Sequence, residues 1–302
     1  MKNIGFISAA RIGVIASHTF TQLVRMKVFY FLVVFVLILL GLQFVDMREL
    51  GAVDGVEQNL RVIKGAGFFA MNMFSVILAL SATALLIPKD LEDRTLYTIL
   101  CKPVPRLDYL IGKWLGVMAL VGLGLLVMDA LFSLILVNEV NGTIAELRMA
   151  MQAQKVPAEV IDVQVMKISE QGVTWSFQAG VLAVFLKAMV VAAVALLVST
   201  FSTSTIFTIV ITVVVVLVGL IQAEAREYFF QQQELGRSSM MLEASRWVAL
   251  LFPDFKLLGI EEGVINGQQL RVGEVGRVTL VGCLYSAVYI VLSWFVFRRK
   301  EL

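Results

Sequence analysis

Six long apolar runs constrain what this 302-residue chain can fold into. Most are close to the length that crosses a bilayer as a helix, roughly 17 to 25 residues. The backbone groups of a chain in lipid must pair internally, so a helix is the expected structure of each run. The runs are 28–45, 68–87, 109–137, 177–199, 206–222 and 278–297. The sequence therefore predicts an all-α fold, an integral membrane bundle of six transmembrane helices in one domain spanning 1–302.

The composition agrees with a membrane protein and excludes a soluble globular fold. Hydrophobic residues make up 59% of the chain, and the mean hydropathy is +0.87, whereas soluble domains are about 45–50% apolar. The net charge of +2 averages a basic face with an acidic one, so it says little about partners. We expect contact with membrane lipid and none with nucleic acid.

The charged residues between the runs indicate the orientation in the membrane. With six spans, both termini lie on one side. The terminal segments and the loops 88–113 and 200–205 carry twelve Lys/Arg and five Asp/Glu. The opposite loops are nearly twice as long and carry twelve Lys/Arg and seventeen Asp/Glu. Basic residues are enriched on the cytoplasmic side. The sequence therefore predicts a multi-pass protein of the cell (inner) membrane with both termini in the cytoplasm.

The segments outside the runs carry helical patterns of their own. Residues 1–27 place apolar side chains near one helical face, which predicts an interfacial elbow helix in the inner headgroup layer. The outer-face loops 138–176 and 223–277 also show apolar residues at helical spacing, with a break expected before Pro157. These loops predict a helical outer cap, which offers a surface to an outer-face partner protein.

A charged island, the loop 88–108, separates the second run from the third. After Pro88, the spacing of apolar and charged residues over 89–100 predicts a short amphipathic helix on the cytoplasmic side. The stretch Lys102-Pro103-Val104-Pro105-Arg106 then ends it, because two prolines within three residues cannot continue a helix. The sequence predicts a stiff lever joined to two spans.

This island resembles the coupling loop of ABC-2 type transporter permeases, the membrane subunits of ATP-driven exporters. In that family a segment rich in Glu, Asp and Arg with a Thr-Leu pair leads to a Lys-Pro-Val-x-Arg turn and then to Tyr-Leu-x-Gly-Lys. The matching residues are Glu92, Asp93, Arg94, Thr95, Leu96, Lys102, Pro103, Val104, Arg106, Tyr109, Leu110, Gly112 and Lys113. The stretch Phe252-Pro253-Asp254-Phe255 is similar to the branch of the family linked to multi-copper enzyme maturation.

The resemblance implies a partner and a division of labour. Two permease chains, as a homodimer or with a related permease, form the pathway, and two ATP-binding subunits dock below them. ATP and Mg²⁺ would bind to the partner, with no cofactor in this chain, because the sequence lacks a G-x-x-x-x-G-K-[ST] phosphate loop. The chain would then be a transport subunit without catalytic residues, and not an enzyme. The residues implied to couple to the ATPase subunit are Asp90, Glu92, Asp93, Arg94, Thr95, Pro103, Pro105 and Arg106.

Two charged residues fall inside apolar runs. Asp129 lies about eight residues from the outer end of the third run and Lys187 about ten from that of the fourth, which places both roughly 12 to 15 Å deep. Charges at such a depth are costly and normally pair or face a watery cavity. We expect Asp129 and Lys187 to form an intramembrane charge pair, with either a structural or a functional role.

Polar residues in the second run allow two interpretations. Asn72, Ser75 and Thr83 suit close packing between helices, and they could instead line a pathway between two chains.

Two other functions stay open on the residues alone. An ion-coupled carrier or channel could use Asp129, and a non-transporting scaffold could hold an outer-face complex on its loops. No metal site is expected, because His18 is the only histidine and two cysteines alone do not make one.

Overall fold

The computed structural model describes residues 8–25, 30, 34, 37, 55–92, 104–202, 204–234 and 252–299. Within these ranges the chain is mainly helical and contains no strand. The helices are α1 (Ala9–Arg25), α2 (Gly55–Glu92), α3 (Arg106–Ala153), α4 (Ala158–Ser169), α5 (Trp175–Phe201), α6 (Thr205–Glu234), α7 (Glu261–Ile265) and α8 (Val272–Arg299). A 3₁₀ turn, Phe255–Leu258, precedes α7. The predicted all-α membrane bundle is confirmed.

Membrane-spanning length is reached by four of the described helices, judged by length and composition. These stretches are Gln58–Pro88, Arg106–Ala153, Trp175–Phe201 and Val272–Arg299. A shorter apolar stretch, Thr205–Ile221, belongs to α6. The first predicted run, 28–45, lies almost wholly outside the described residues, so the count of six spans stays a prediction.

The bundle is built around α5. This helix is apolar on every side, and most of its residues from Ala183 to Thr200 are buried. A helix that is hydrophobic all round belongs in the interior of a bundle. α5 packs against α2, α3, α6 and α8, and against the short helix α7. It therefore forms the centre to which the other spans attach.

α3 is one continuous helix where a span and a separate outer helix were predicted. Its 48 residues give a length of about 72 Å at 1.5 Å per residue, more than twice the ~30 Å hydrocarbon core. The predicted helix end at Val137 is wrong. The following residues contain no proline, and the cost of a helical Gly142, about 1 kcal/mol, is opposed by burial of Val140 and Thr143. The helix ends before Pro157, where a break was predicted.

α2 also passes a predicted boundary. The helix includes Pro88 and continues to Glu92, whereas the run was predicted to end at residue 87. Proline removes one backbone hydrogen bond and crowds the carbonyl four residues earlier. Here it lies one turn from the helix end, and Asp90 in that last turn is held by side chains of α3. Residues 89–92 of the predicted separate helix therefore belong to the last turn of α2, and its other residues lie outside the described part of the chain.

α1 runs beside the first turns of α3 in the same direction. Ile15 contacts Gly112 and Thr19 contacts Gly116, so the contact advances by four residues on both helices. A Cβ on Gly116 would lie 2.6 Å from Thr19 Cβ and 2.8 Å from the Ala16 carbonyl oxygen. The two glycines thus let the backbones approach closely, as small residues spaced by four do in packed membrane helices. The interfacial position expected for α1 stays a prediction.

The chain between α6 and α8 enters the bundle over 252–271, which we call the inserted segment. Two of its contacts on α5 are far apart: Glu261 pairs with Lys187, and Leu270 N–H donates a hydrogen bond to Ser176 Oγ at 2.9 Å. Lys187 and Ser176 are about 16.5 Å apart along the helix. Irregular backbone at such a depth in a membrane must be covered by protein or line a watery cavity. Part of the predicted outer cap is therefore packed between the spans.

Candidate functional site

Buried polar contacts surround the two points where the loop 93–103 joins the bundle. α3 begins at Arg106, after Pro105 with a φ of -59° and a ψ of 135°. Asp108 lies in the first turn of α3, where a negative charge interacts favourably with the helix dipole. Four side chains in the first two turns contact other helices: Arg106, Asp108, Tyr109 and Lys113.

Asp90 connects the end of α2 to the start of α3. Its Oδ2 accepts a hydrogen bond from Tyr109 Oη at 2.5 Å and lies 2.8 Å from Lys113 Nζ. Asp90 is only 5% exposed and Lys113 only 2%. Tyr109 and Lys113 are four residues apart and so share one face of α3. A carboxylate withdrawn from water needs such partners, because an unpaired buried charge is very costly.

Asp108 connects α3 to α1. Its Oδ2 accepts a hydrogen bond from Arg11 Nε at 2.9 Å, and Arg11 Nη2 lies 2.9 Å from the same oxygen. The backbone N–H of Ser8 also points to this oxygen, at 3.4 Å. Asp108 is fully buried, so this contact fixes the first turn of α1 to the first turn of α3.

Arg106 connects α3 to the last turn of α8. Its Nη1 donates hydrogen bonds to the carbonyl oxygens of Phe297 at 2.6 Å and Arg298 at 2.9 Å. Carbonyl groups in the last turn of a helix have no backbone N–H donor within the helix, and their partial negative charge attracts cations. The Phe297 ring lies between two residues of α3: the Arg106 guanidinium is 5.6 Å from its centre and the Tyr109 ring 6.0 Å. Arg106 therefore caps α8.

We call this set of contacts the loop-root junction. Its members are Arg11, Asp90, Arg106, Asp108, Tyr109, Lys113 and Phe297. The junction brings α1, α2, α3 and α8 together where the loop leaves and re-enters the bundle.

The junction changes the roles predicted for two coupling residues. Asp90, expected to contact a partner protein, is buried against α3, and Arg106 is bound to the end of α8. A charge pattern along a helix does not distinguish a solvated carboxylate from one that faces a lysine. Pro105 lies directly before α3. Asp93, Arg94, Thr95, Pro103 and the side chain of Glu92 lie outside the described part of the chain.

The predicted pair of Asp129 and Lys187 is wrong, because each residue has another partner. Asp129 Oδ1 accepts hydrogen bonds from Ser133 Oγ at 3.3 Å and Gln178 Nε2 at 3.4 Å. Lys187 pairs with Glu261. Gln178 precedes Lys187 by nine residues, about 13.5 Å along α5. The predicted depths were counted from an assumed end of the third span, which α3 passes.

The Lys187–Glu261 ion pair fixes the inserted segment to the middle of α5. Glu261 begins the five-residue helix α7, and the two side chains are 11% and 14% exposed. On the other side, a Cβ on Gly219 of α6 would lie 2.6 Å from the Pro253 carbonyl oxygen. The inserted segment is therefore held between α5 and α6 at the level where the sequence suggested a charge pair.

The three predicted lining residues of α2 do not share one environment. Ser75 and Thr83 are buried within the chain, and their hydroxyls donate to the carbonyl oxygens of Met71 at 2.6 Å and Ala79 at 2.7 Å. The packing interpretation fits both hydroxyls, because a pathway between two chains would be lined by side chains at the surface of each chain. Asn72 is partly exposed, so the lining interpretation is kept only there.

Sequence reasoning missed several contact groups. Tyr109 and Lys113 had a signal, since their spacing of four at the start of a span puts them on one helical face. No sequence signal pointed to Glu261 as a partner of Lys187, because the two residues are 74 positions apart. The buried Lys64, whose Nζ donates to Gln171 Oε1 at 2.7 Å, was also missed.

Metal-ligating side chains are not clustered in the part of the chain that the structure describes. No group of three or more His, Cys, Asp and Glu there could hold a metal ion. The buried carboxylates of the loop-root junction instead pair with cations on neighbouring helices. This arrangement is suited to holding helices together.

Long apolar helices surround a buried central helix, and charged contacts join them at one end of the bundle. This is the architecture of a multi-pass helical membrane protein. Residues 14–302 match the family model described as ABC-2 family transporter protein, and the chain belongs to that family. The resemblance based on the charged loop is thereby confirmed. The chain is a permease, a membrane transport subunit, and not itself a catalytic domain. A search among curated proteins returned no match.

Proposed function

We propose that this chain is the membrane subunit of an ATP-driven exporter and that it receives force from a separate ATP-binding subunit at the loop 93–103. Membership of the ABC-2 transporter family supports the class. The observation that carries the proposal is the loop-root junction, which attaches the start of α3 to α1 through Asp108 and to α8 through Arg106. A displacement of the loop would therefore reach four helices.

The partner contacts are assigned to the last residue of α2 and the polar residues that follow it. Glu92, Asp93, Arg94 and Thr95 meet the ATP-binding subunit, while Pro103 and Pro105 keep the return of the loop stiff. ATP and Mg²⁺ bind to the partner. None of these residues does chemistry, because their role is to transmit a displacement.

The assembly contains two permease chains and two ATP-binding subunits in the cell (inner) membrane. Both termini and the loop 93–103 face the cytoplasm, where basic residues are concentrated. Closure of the ATP-binding subunits displaces the loop, the junction passes the displacement to α1, α2, α3 and α8, and the spans rock to move a substrate outward. Hydrolysis resets them.

Charge reversal in the loop tests the proposal. The triple variant Glu92→Lys, Asp93→Lys and Arg94→Glu should lose copurification of an ATP-binding subunit, because complementary charges set partner choice. The measurement is the amount of that subunit, and of its ATP hydrolysis, retained in mild detergent.

A matched control reverses three exposed charges of α4, with Glu159→Lys, Asp162→Lys and Lys167→Glu. This variant should retain the ATP-binding subunit at the level of the unmodified chain. Retention of the subunit by the loop variant, or equal loss in both variants, would contradict the assignment of the loop as the docking point.

A further inference from the structure

Two contacts of the loop-root junction, those of Asp90 with Tyr109 and Lys113, join the two ends of the loop to each other. The other contacts connect α3 to helices remote in sequence, with Arg11 97 residues from Asp108 and Arg106 191 residues from Phe297. Asp90 and Tyr109 are 19 residues apart and lie on the two sides of the loop. We call Asp90, Tyr109 and Lys113 the clasp.

The clasp lies where α2 needs support. Asp90 is two residues beyond Pro88, which has no N–H to donate to the Ala84 carbonyl oxygen, so the last turn of α2 is joined to the preceding turn by one backbone hydrogen bond fewer. The hydroxyl of Tyr109 and the ammonium group of Lys113 both bind Asp90 Oδ2, in a site that water barely reaches. Side-chain contacts to α3 thus hold the last turn of α2.

A push on the loop acts on both of its roots, which are the end of α2 and the start of α3. If the roots were independent, part of the displacement would be lost as a change in their separation. With the roots joined, the same displacement moves α2 and α3 together. The clasp has the placement that this requires, because it joins the last turn of α2 directly to the start of α3.

We infer that Asp90, Tyr109 and Lys113 are positioning residues for coupling, which hold the two roots at a fixed separation so that α2 and α3 move as one body. The inference rests on the proposed function, because it needs a partner that pushes on the loop. It also gives the Tyr-Leu-x-Gly-Lys motif a physical basis, since Tyr109 and Lys113 bind Asp90 while Gly112 admits α1.

The test measures two distances with pairs of spin labels, in the full chain purified with its ATP-binding subunit. Labels at Leu85 and Leu115 report the separation of the roots, one on α2 and one on α3. Labels at Val62 and Ile221 report the position of α2 relative to α6 far from the loop. Each distance is measured without nucleotide and with ATP and vanadate, and both native cysteines are replaced by serine.

Three variants separate coupling from folding. Asp90→Asn removes the charge at nearly constant volume, and Tyr109→Phe removes one hydroxyl. The matched control, Tyr285→Phe, removes the hydroxyl that accepts a hydrogen bond from Asp254 N–H in the inserted segment. Thermal unfolding of every complex is recorded beside the distances.

In the parent complex, ATP should leave the root separation unchanged and shift the Val62–Ile221 distance. In Asp90→Asn, ATP should broaden or lengthen the root separation, and the distant shift should be lost. Tyr109→Phe should lie between the two, and Tyr285→Phe should match the parent. A clasp needed only for stability would lower the unfolding temperature without making the root separation depend on ATP.

Two results would overturn the inference while leaving the proposed function intact. The first is parent-like distances in both Asp90→Asn and Tyr109→Phe. The second is failure of Tyr109→Phe to assemble with the ATP-binding subunit, since the clasp would then serve folding. If the parent chain itself carries no ATP-binding subunit or shows no response to ATP, the proposed function and the inference both fail.

Discussion

At the scale of single residues, charges inside the bundle are stabilised by partners on other elements. Lys187 of α5 has Glu261, and Asp90 of α2 has Lys113. Removing one member of a buried pair leaves the other charge without compensation, which costs about 3–5 kcal/mol, whereas replacing both members is often neutral. The same substitution therefore has different effects alone and in combination.

Lys187→Met should lower the free energy of unfolding by about 3–5 kcal/mol, because Glu261 would keep a buried charge without its cation. Adding Glu261→Gln should recover part of the loss. Chemical denaturation in detergent measures both effects. Lys167→Met, on the exposed face of α4, is the control and should have little effect.

A structural role for this ion pair would be contradicted by one combination of results. If Lys187→Met left the abundance and the denaturation midpoint unchanged but abolished function, the pair would have to act in transport itself.

The polar residues of α2 give a second prediction at this scale. In a chain with Cys101→Ser and Cys283→Ser, a cysteine at Asn72 should react with a small water-soluble thiol reagent, because the lining interpretation puts this partly exposed position against water. A cysteine at Thr83 should not react, because that side chain is fully buried. Labelling followed by mass spectrometry compares the two rates. Fast reaction at Thr83 would show that water reaches the interior of the chain there.

At the scale of elements, apolar length predicted the four described helices of membrane-spanning length but not where these helices end. The apolar runs predict span ends at residues 87 and 137, yet α2 continues to Glu92 and α3 to Ala153. Contacts between distant segments were equally hidden: Asp129 and Lys187 had matching depths, but Glu261 arrives from an inserted segment that sequence spacing does not place. By contrast, the Tyr109 and Lys113 motif was recognisable, and only its target, Asp90, needed the structure.

The packing of α1 on α3 gives the prediction at this scale. Gly116→Ala should destabilise the protein by about 1–3 kcal/mol, the usual cost of overpacking, because the new Cβ would lie 2.8 Å from the Ala16 carbonyl oxygen. Thermal unfolding of the purified chain measures the effect. Gly142→Ala is a control in the same helix, with no atom within 4 Å of the new Cβ.

The control, Gly142→Ala, should be neutral or should stabilise the protein by roughly 0.5–1 kcal/mol, since glycine is a poor helix former. Equal effects of Gly116→Ala and Gly142→Ala would contradict close packing of α1 against α3.

At the scale of the whole molecule, the fold joins four helices by polar contacts at one end of the bundle. α1, α2, α3 and α8 meet at the loop-root junction, and α5 occupies the centre of the bundle. Composition and apolar length were sufficient to predict a helical membrane bundle, whereas the stiff loop stays a prediction. They could not predict the junction, because its members come from four segments spread from Arg11 to Phe297.

The central claim is that the loop 93–103 receives an ATP-binding subunit. The most direct measurement places a photo-crosslinking amino acid at Thr95 in the full chain in cells and identifies the captured protein by mass spectrometry. The same amino acid at Met149, exposed at the far end of α3, is the control. We predict that Thr95 captures a protein with a G-x-x-x-x-G-K-[ST] phosphate loop and that Met149 does not. Capture of such a protein only from Met149, or of none from Thr95 in an active transporter, would contradict the claim.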